Sequence, residues 1–233
     1  MTDRYVDRPD FEPPEGAQGA GCCSGYALPP LIILVIAAAV LAVAFRNPGS
    51  LPVPTTGGGA ARPRSLPSQI SDVFTPEVQH WGSAITAWAS DAGLDPNLAA
   101  VVMQIESCGD PRALSRAGAI GLFQVMPYHF EAAEQPYSPD TNAARGLAYL
   151  GRALSAAQGD ARLAFAGYNG GIGVIGRPET TWPAETVRYA YWGSGVYTDA
   201  RSGSAESARL SEWLAAGGTS LCRAARQRLN LSE

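Results

Sequence analysis

The sequence predicts a mainly α-helical domain set behind a single membrane-spanning segment. Two patterns predict the domain. From Thr75 onward apolar residues recur at helical spacing between cap and breaker residues, and no segment shows convincing period-two alternation. A third pattern predicts the span: no side chain from Tyr26 to Phe45 is charged, and about 20 apolar residues suffice to cross a bilayer.

Taken in order, residues 1–25 are acidic and rich in Pro and Gly. Such a tail cannot bury enough apolar surface to order itself. Residues 26–46 are read as a transmembrane signal anchor. The run from Leu31 to Phe45 is almost pure Leu, Ile, Val and Ala. It has no polar face, which argues against a buried core helix. Ala42-Val43-Ala44 has the small-residue form that signal peptidase accepts, so cleavage there is the competing reading. The preceding segment is long and acidic rather than short and basic, which favours an uncleaved anchor. Flanking charge orients the span only weakly, with Arg4 and Arg8 before it and Arg46, Arg62 and Arg64 after it. Residues 47–74 carry Pro48, Pro52, Pro54, Gly57-Gly58-Gly59, Pro63 and Pro67, the composition of a linker.

Thr75-Pro76 is a cap followed by proline at the first helical position. Val78, Trp81, Ile85 and Trp88 then lie on one helix, stopped by Gly93. Asp95-Pro96 opens a second helix with Leu98, Val101, Val102 and Ile105 on one face. Ser138-Pro139 or Asp140 opens a third, with Leu147, Leu150 and Leu154, ending near Gly159. Asp160 caps a short helix through Leu163 and Ala166. Trp182-Pro183 opens one carrying Val187 and Tyr191. Residues 207–216 and 221–229 read as two last short helices, broken by Gly217-Gly218. The predicted folded domain spans residues 75–200, with a helical extension over 201–233.

Composition narrows the chemistry. The formal charge of -4 leaves no basic footprint for nucleic acid. All 17 basic side chains are Arg, and they are scattered. His80 and His129 are the two histidines, and no cysteine spacing suits zinc, so neither a metal nor another cofactor is expected.

The candidate acid is Glu106. It ends the second helix one turn beyond Val102 and Met103, at the edge of the apolar stripe. A carboxyl group half withdrawn from water has a raised pKa. A carboxylic acid protonated near neutral pH can give its proton to a glycosidic oxygen. Taken alone, a solvated Glu on a helix rim is the better reading.

Four further stretches alter that balance. Ser115-Arg116-Ala117-Gly118-Ala119-Ile120-Gly121 leads into Leu122-Phe123-Gln124-Val125-Met126-Pro127. Gly167-Tyr168-Asn169-Gly170-Gly171 and Glu185-Thr186-Val187-Arg188-Tyr189 follow. With Glu106-Ser107, this ordered set resembles the catalytic domain of soluble-lytic-type (SLT) transglycosylases, relatives of goose-type lysozyme, over roughly residues 76–195. The resemblance implies a lysozyme-like helical fold and peptidoglycan glycan strands as partner. It implies Glu106 as the single catalytic residue and Ser115 as a hydrogen-bonding residue near it. Gln124 and Met126 would line sugar sites, Tyr168 and Asn169 would face the acid, and Tyr189 would share the cleft. Ser107 would support the helix end. For Gln124, a buried amide needs partners that a sugar could supply. Phe123 and Val125 read as core.

Most glycosidases use two carboxylates. Asp110 is the other acid near Glu106 in sequence, and it reads as a turn residue between Gly109 and Pro111. Glu106 would then serve twice, as acid and as base, and the resemblance implies a 1,6-anhydro product. A lysozyme-like muramidase using water stays open, as does a wall-binding module without turnover. A lytic component of a secretion or conjugation apparatus finds no adaptor domain in the sequence to support it. If the domain lies outside a cell membrane, Cys108 and Cys222 can pair while Cys22 and Cys23 stay on the reducing side. Two free buried thiols are the alternative.

Overall fold

The computed structural model describes residues 69–232. The predicted tail, the span over 26–46 and the greater part of the linker lie outside these residues. Among the described residues no helix is long and apolar enough to cross a membrane. Helices dominate, and extended pairing is limited to the isolated bridges Leu114–Ile120 and Ile120–Val125.

Eight α-helices follow in order among the described residues: α1 Pro76–Gln79, α2 Gly82–Asp91, α3 Pro96–Glu106, α4 Pro139–Ala156, α5 Ala161–Gly170, α6 Ala184–Ser202, α7 Ala208–Trp213 and α8 Thr219–Leu229. Their starts are chemically marked. Asp95 accepts from the Asn97 N–H, Asp160 from Leu163 and Ser207 from Leu210, each satisfying an otherwise unpaired first-turn donor.

The centre is α3. The sequence places one apolar face on it, but every residue from Pro96 to Gln104 is buried. The reason is its company: α2 and α6 pack on it, and α1 reaches it from another side. A helix enclosed all round needs partners for its polar groups. Gln104 finds them at Thr75, whose N–H and hydroxyl both donate to its Oε1 at 3.2 Å. Asn97 Oδ1 accepts from Ser71 N at 2.7 Å.

Two boundaries differ from expectation. Ile70, Val73 and Phe74, placed in the linker by the prolines before them, are buried in the core. The packed body therefore begins ahead of Thr75. The helix predicted from Thr75 through Trp88 is two helices, because Trp81 leaves the helical path and its Nε1 donates to the Gly109 carbonyl at 2.9 Å. At the other end the expected break is present: Gly217 leaves helical geometry at φ 131 and kinks the chain between α7 and α8. Leu210, Trp213, Cys222 and Ala225 join the same core as α3, so the C-terminal segment is part of the body rather than an appendage.

Cys108 and Cys222 are joined in a disulfide. Beside it the buried carboxylate of Glu77 meets Arg226 of α8 at 2.6 Å, and Asp110 lies 3.5 Å from Arg228. A covalent link and two ion pairs thus hold α8 against the end of α3.

Candidate functional site

Glu106 is the last residue of α3 and half-buried. The helix stops there because the next residues cannot continue it. Ser107 departs from helical geometry at φ −140, and Cys108 and Gly109 take positive φ values of 52 and 85. Ser107 fixes the stop: its hydroxyl donates to the Leu122 carbonyl at 2.7 Å and accepts from the Gly109 N–H at 3.1 Å. The supporting role expected of Ser107 thus has a concrete partner, the loop that carries Gln124.

That loop is held from its other side by Asn142 in α4. Its Oδ1 accepts from Phe123 N at 2.8 Å, and its Nδ2 donates to Ile120 O at 2.7 Å. Phe123 is fully buried. It lies so close to α4 that a Cβ on Gly146 would come within 2.5 Å of its own Cβ and 3.2 Å of the Tyr168 hydroxyl. Gly146 is what lets the loop and Tyr168 approach together.

Burial drives the electrostatics. Desolvation pushes the Glu106 pKa from the usual 4.5 to about 8, the Tyr189 hydroxyl pulls against it, and the negative charge of Glu185 adds to it. The phenols of Tyr168 and Tyr189 are raised well above their usual range, first by burial and then by the nearby Glu106 charge. Both therefore keep their protons at neutral pH. The Tyr168 hydroxyl donates a hydrogen bond to the Phe123 carbonyl at 2.7 Å. The Tyr189 hydroxyl reaches Glu106 electrostatically but falls short of a well-formed hydrogen bond. It is buried and no acceptor meets full hydrogen-bond geometry with it, so its pull on the Glu106 pKa comes from a weakly engaged donor.

The structure thus gathers Glu106, Tyr168 and Tyr189. The other expected residues take different positions. Asn169 Oδ1 accepts from Thr186 Oγ1 at 2.8 Å, linking α5 to the start of α6. Ser115 serves its own loop: its Oγ accepts from Ala119 N at 2.9 Å, and no hydrogen bond joins it to Glu106 among the described residues. The turn at Gly118, with φ 88, folds Ala119 back onto it and takes up the hydroxyl. Gln124, expected as a buried amide, is half-buried at φ 46, and its Nε2 donates to the Gly121 carbonyl at 2.9 Å. Its nitrogen already has a partner inside the tight turn. Met126 is half-buried at the start of the 3₁₀ turn Pro127–His129. Asp110 is a turn residue, accepting from Arg112 N at 2.8 Å.

Two residues at the site were not singled out by the sequence. Asn142 left a signal: it shares a face with Gly146 and Leu150 at helical spacing, a polar residue on a buried stripe. Glu185 precedes Tyr189 by one helical turn, which places both on the same side of α6. Its influence on Glu106 makes it the second carboxylate of the neighbourhood. Tyr189→Phe should raise the Glu106 pKa further, because it removes the one influence that lowers it. Carbon NMR titration of the Glu106 carboxyl would read this, and an unmoved midpoint would show that the phenol does not act on the acid.

Among the described residues the body is helical and holds a desolvated carboxyl group beside two phenols. Residues 83–186 match the family model of the transglycosylase SLT domain. A transglycosylase of Enterobacteria phage PRD1 is 36% identical over 111 residues, 47% of this chain and 40% of that protein. The chain thus spans well under two thirds of that relative. The X-ray structure of an inactive mutant of the lytic transglycosylase Slt from Pseudomonas aeruginosa aligns with 25% identity and a TM-score of 0.44. That alignment covers 52% of this chain and 24% of the other. The match to the transglycosylase SLT domain model takes in residues 83–186, a little under half of the chain.

Proposed function

We propose that this domain cleaves the β-1,4 bond between MurNAc and GlcNAc in peptidoglycan and leaves 1,6-anhydro-MurNAc ends. The observation that carries the reading is a carboxyl group with a pKa of about 8 beside two phenols that stay protonated, within a stretch that matches the SLT domain model. Glu106 is protonated at neutral pH and donates to the glycosidic oxygen as the bond to C1 breaks. The leaving sugar departs with that proton. The carboxylate so formed then takes the proton of the muramyl C6 hydroxyl, and that oxygen closes onto C1. No water is consumed, and the acid is restored.

Tyr189 fits this double role. A buried, weakly engaged hydroxyl can donate to Glu106 once it is ionised, which stabilises the base form when it is needed. Ser115, Gln124, Met126, Tyr168 and Asn169 are the proposed sugar contacts. The Oε1 of Gln124 accepts no hydrogen bond from the described residues and is free for a sugar N–H or O–H.

One observation favours a second reading. Glu185 is exposed and near enough to act on Glu106. A second carboxylate could activate water and make the domain a muramidase. Mass spectrometry of products from purified peptidoglycan separates the two. Muramyl ends lighter by one water than ordinary reducing ends are expected, and ordinary reducing ends would move the domain to the hydrolases. A wall-binding module without turnover would have no need of the desolvated acid.

We further propose that residues 26–46 anchor the chain in the cell membrane by a single pass, with residues 75–200 as catalytic domain and 201–233 as its C-terminal extension outside the cytoplasm. The disulfide supports this placement, since such bonds persist in oxidising compartments.

A further inference from the structure

A row of rings leaves the site at Tyr168. The ring of Tyr149, on α4, stands edge-on to Tyr168 with centroids 5.6 Å apart. His129 follows at 5.1 Å from Tyr149, and Tyr128 at 4.5 Å from His129. The row draws on α5, α4 and the turn Pro127–His129, three separate parts of the chain. Exposure rises along it: Tyr168, Tyr149 and His129 are half-buried, whereas Tyr128 is 75% exposed. A phenol held that far into water contributes little to the core. An exposed aromatic face with a hydroxyl at its edge suits a sugar ring, which has an apolar face and a polar rim.

Arg152 supplies a charge to this row. Its guanidinium lies over the Tyr149 ring, 5.2 Å from the centroid. Arg145, Arg162 and Arg209 each meet a carboxylate at 2.6 Å, whereas Arg152 meets none among the described residues. His129 adds no positive charge at neutral pH, because partial burial and then the Arg152 charge hold its pKa below the usual 6.5. Arg152 is therefore the permanent cation of the row. A guanidinium that meets a ring and no carboxylate keeps N–H donors free, and their fork matches a carboxylate in two-pronged fashion.

We propose that Tyr128, His129, Tyr149 and Arg152 form a binding platform for a carboxylate-bearing amino sugar, continuing the Tyr168 wall away from Glu106. The rings stack the sugar and Arg152 takes its carboxylate. This rests on the reading that glycan strands occupy the Glu106 site. Two sources share the chemistry: the lactyl carboxylate of a muramyl residue stripped of peptide, and a carboxylate of an attached peptide stem. A plain GlcNAc oligomer has neither.

The test is a binding titration on the whole chain carrying Glu106→Gln, which removes the proposed acid so that oligomers are held without being consumed. Three tetrasaccharides are compared: peptide-free MurNAc-GlcNAc, the same with peptide stems, and a chitin tetramer. Adding Arg152→Gln, at an exposed position outside the core, is expected to weaken the carboxylate-bearing oligomers about fivefold to tenfold, the scale of a partly solvated charge-assisted contact. The chitin tetramer should change by less than about twofold on the same reasoning, since it offers Arg152 no charge. Loss on the peptide-free oligomer assigns the lactyl group, and loss confined to the peptide-bearing one assigns the stem. Tyr128→Ala should weaken all three. The platform is overturned if Arg152→Gln changes none of the three, if it weakens the chitin tetramer as much as the others, or if the parent binds no carboxylate-bearing oligomer. The proposed reaction fails separately. Arg152-dependent binding by a chain that releases no ends from peptidoglycan would keep the platform and remove the reaction.

Discussion

Glu106→Gln should lower release of muramyl ends from peptidoglycan by at least about a hundredfold, the lower end of what a positioned general acid contributes. Glutamine keeps the size of the side chain and can neither give nor take the proton. Turnover close to the parent's would remove Glu106 from the mechanism. The pH profile of the parent carries the same signature. The acid must be protonated at the start, and its pKa is about 8, so the rate should fall as pH rises through that value. A rate that falls instead above pH about 5 would mean a carboxyl with an ordinary pKa.

The same substitution has an opposite effect on stability. A folded-state pKa raised from 4.5 to about 8 means that the folded protein holds this proton more tightly than the unfolded chain does. The stability contributed by the protonated acid is complete below pH 4.5 and is lost as pH rises through about 8. Glutamine has no such loss. Glu106→Gln should therefore gain on the parent above pH 8, by about 1–3 kcal/mol once partial exposure is allowed for, and gain nothing at pH 4. Denaturant unfolding at the two pH values measures this. An inactive variant more stable than its parent is what a site built by desolvation should yield.

Cys222→Ser should destabilise the oxidised protein by about 3–5 kcal/mol, because the bond closes a long loop in the unfolded chain. The bridged residues are 114 apart in sequence. For a domain of this size that is a fall in melting temperature of about 6–20 °C. Cys108→Ser should cost about as much, and the double variant little more, since both remove one bond. Activity should also suffer, because Cys108 lies two residues beyond Glu106 and α8 is held against the same helix end by Arg226 and Arg228. Equal melting of Cys222→Ser and the parent under non-reducing conditions would show that the bridge carries no such load.

The helices were legible wherever a local signal fixed them. Asp95-Pro96, Ser138-Pro139 and Asp160 each begin a helix where the sequence puts a start signal, since capping is settled by atoms two or three residues apart. Boundaries set by distant partners were not legible. Trp81 breaks its helix for a carbonyl 28 residues away. Phe74, Val73 and Ile70 are core because α3 lies beside them, and nothing in their own short run says so. Ser115 and Gln124 were expected to turn to the acid and the sugar. The turns at Gly118 and Gly121 take up the Ser115 hydroxyl and the Gln124 nitrogen first.

The sequence by itself determined that a helical body would form and that a carboxyl group would end its most apolar helix at the edge of water. Both follow from periodicity and caps, which act within a few residues along the chain. Only the tertiary structure decided how acidic that group is. Its pKa depends on what excludes water around Glu106 and on Tyr189 and Glu185 from α6, and solvation and Coulomb forces act through space, without regard to the 83 and 79 positions of chain that separate these two residues from it.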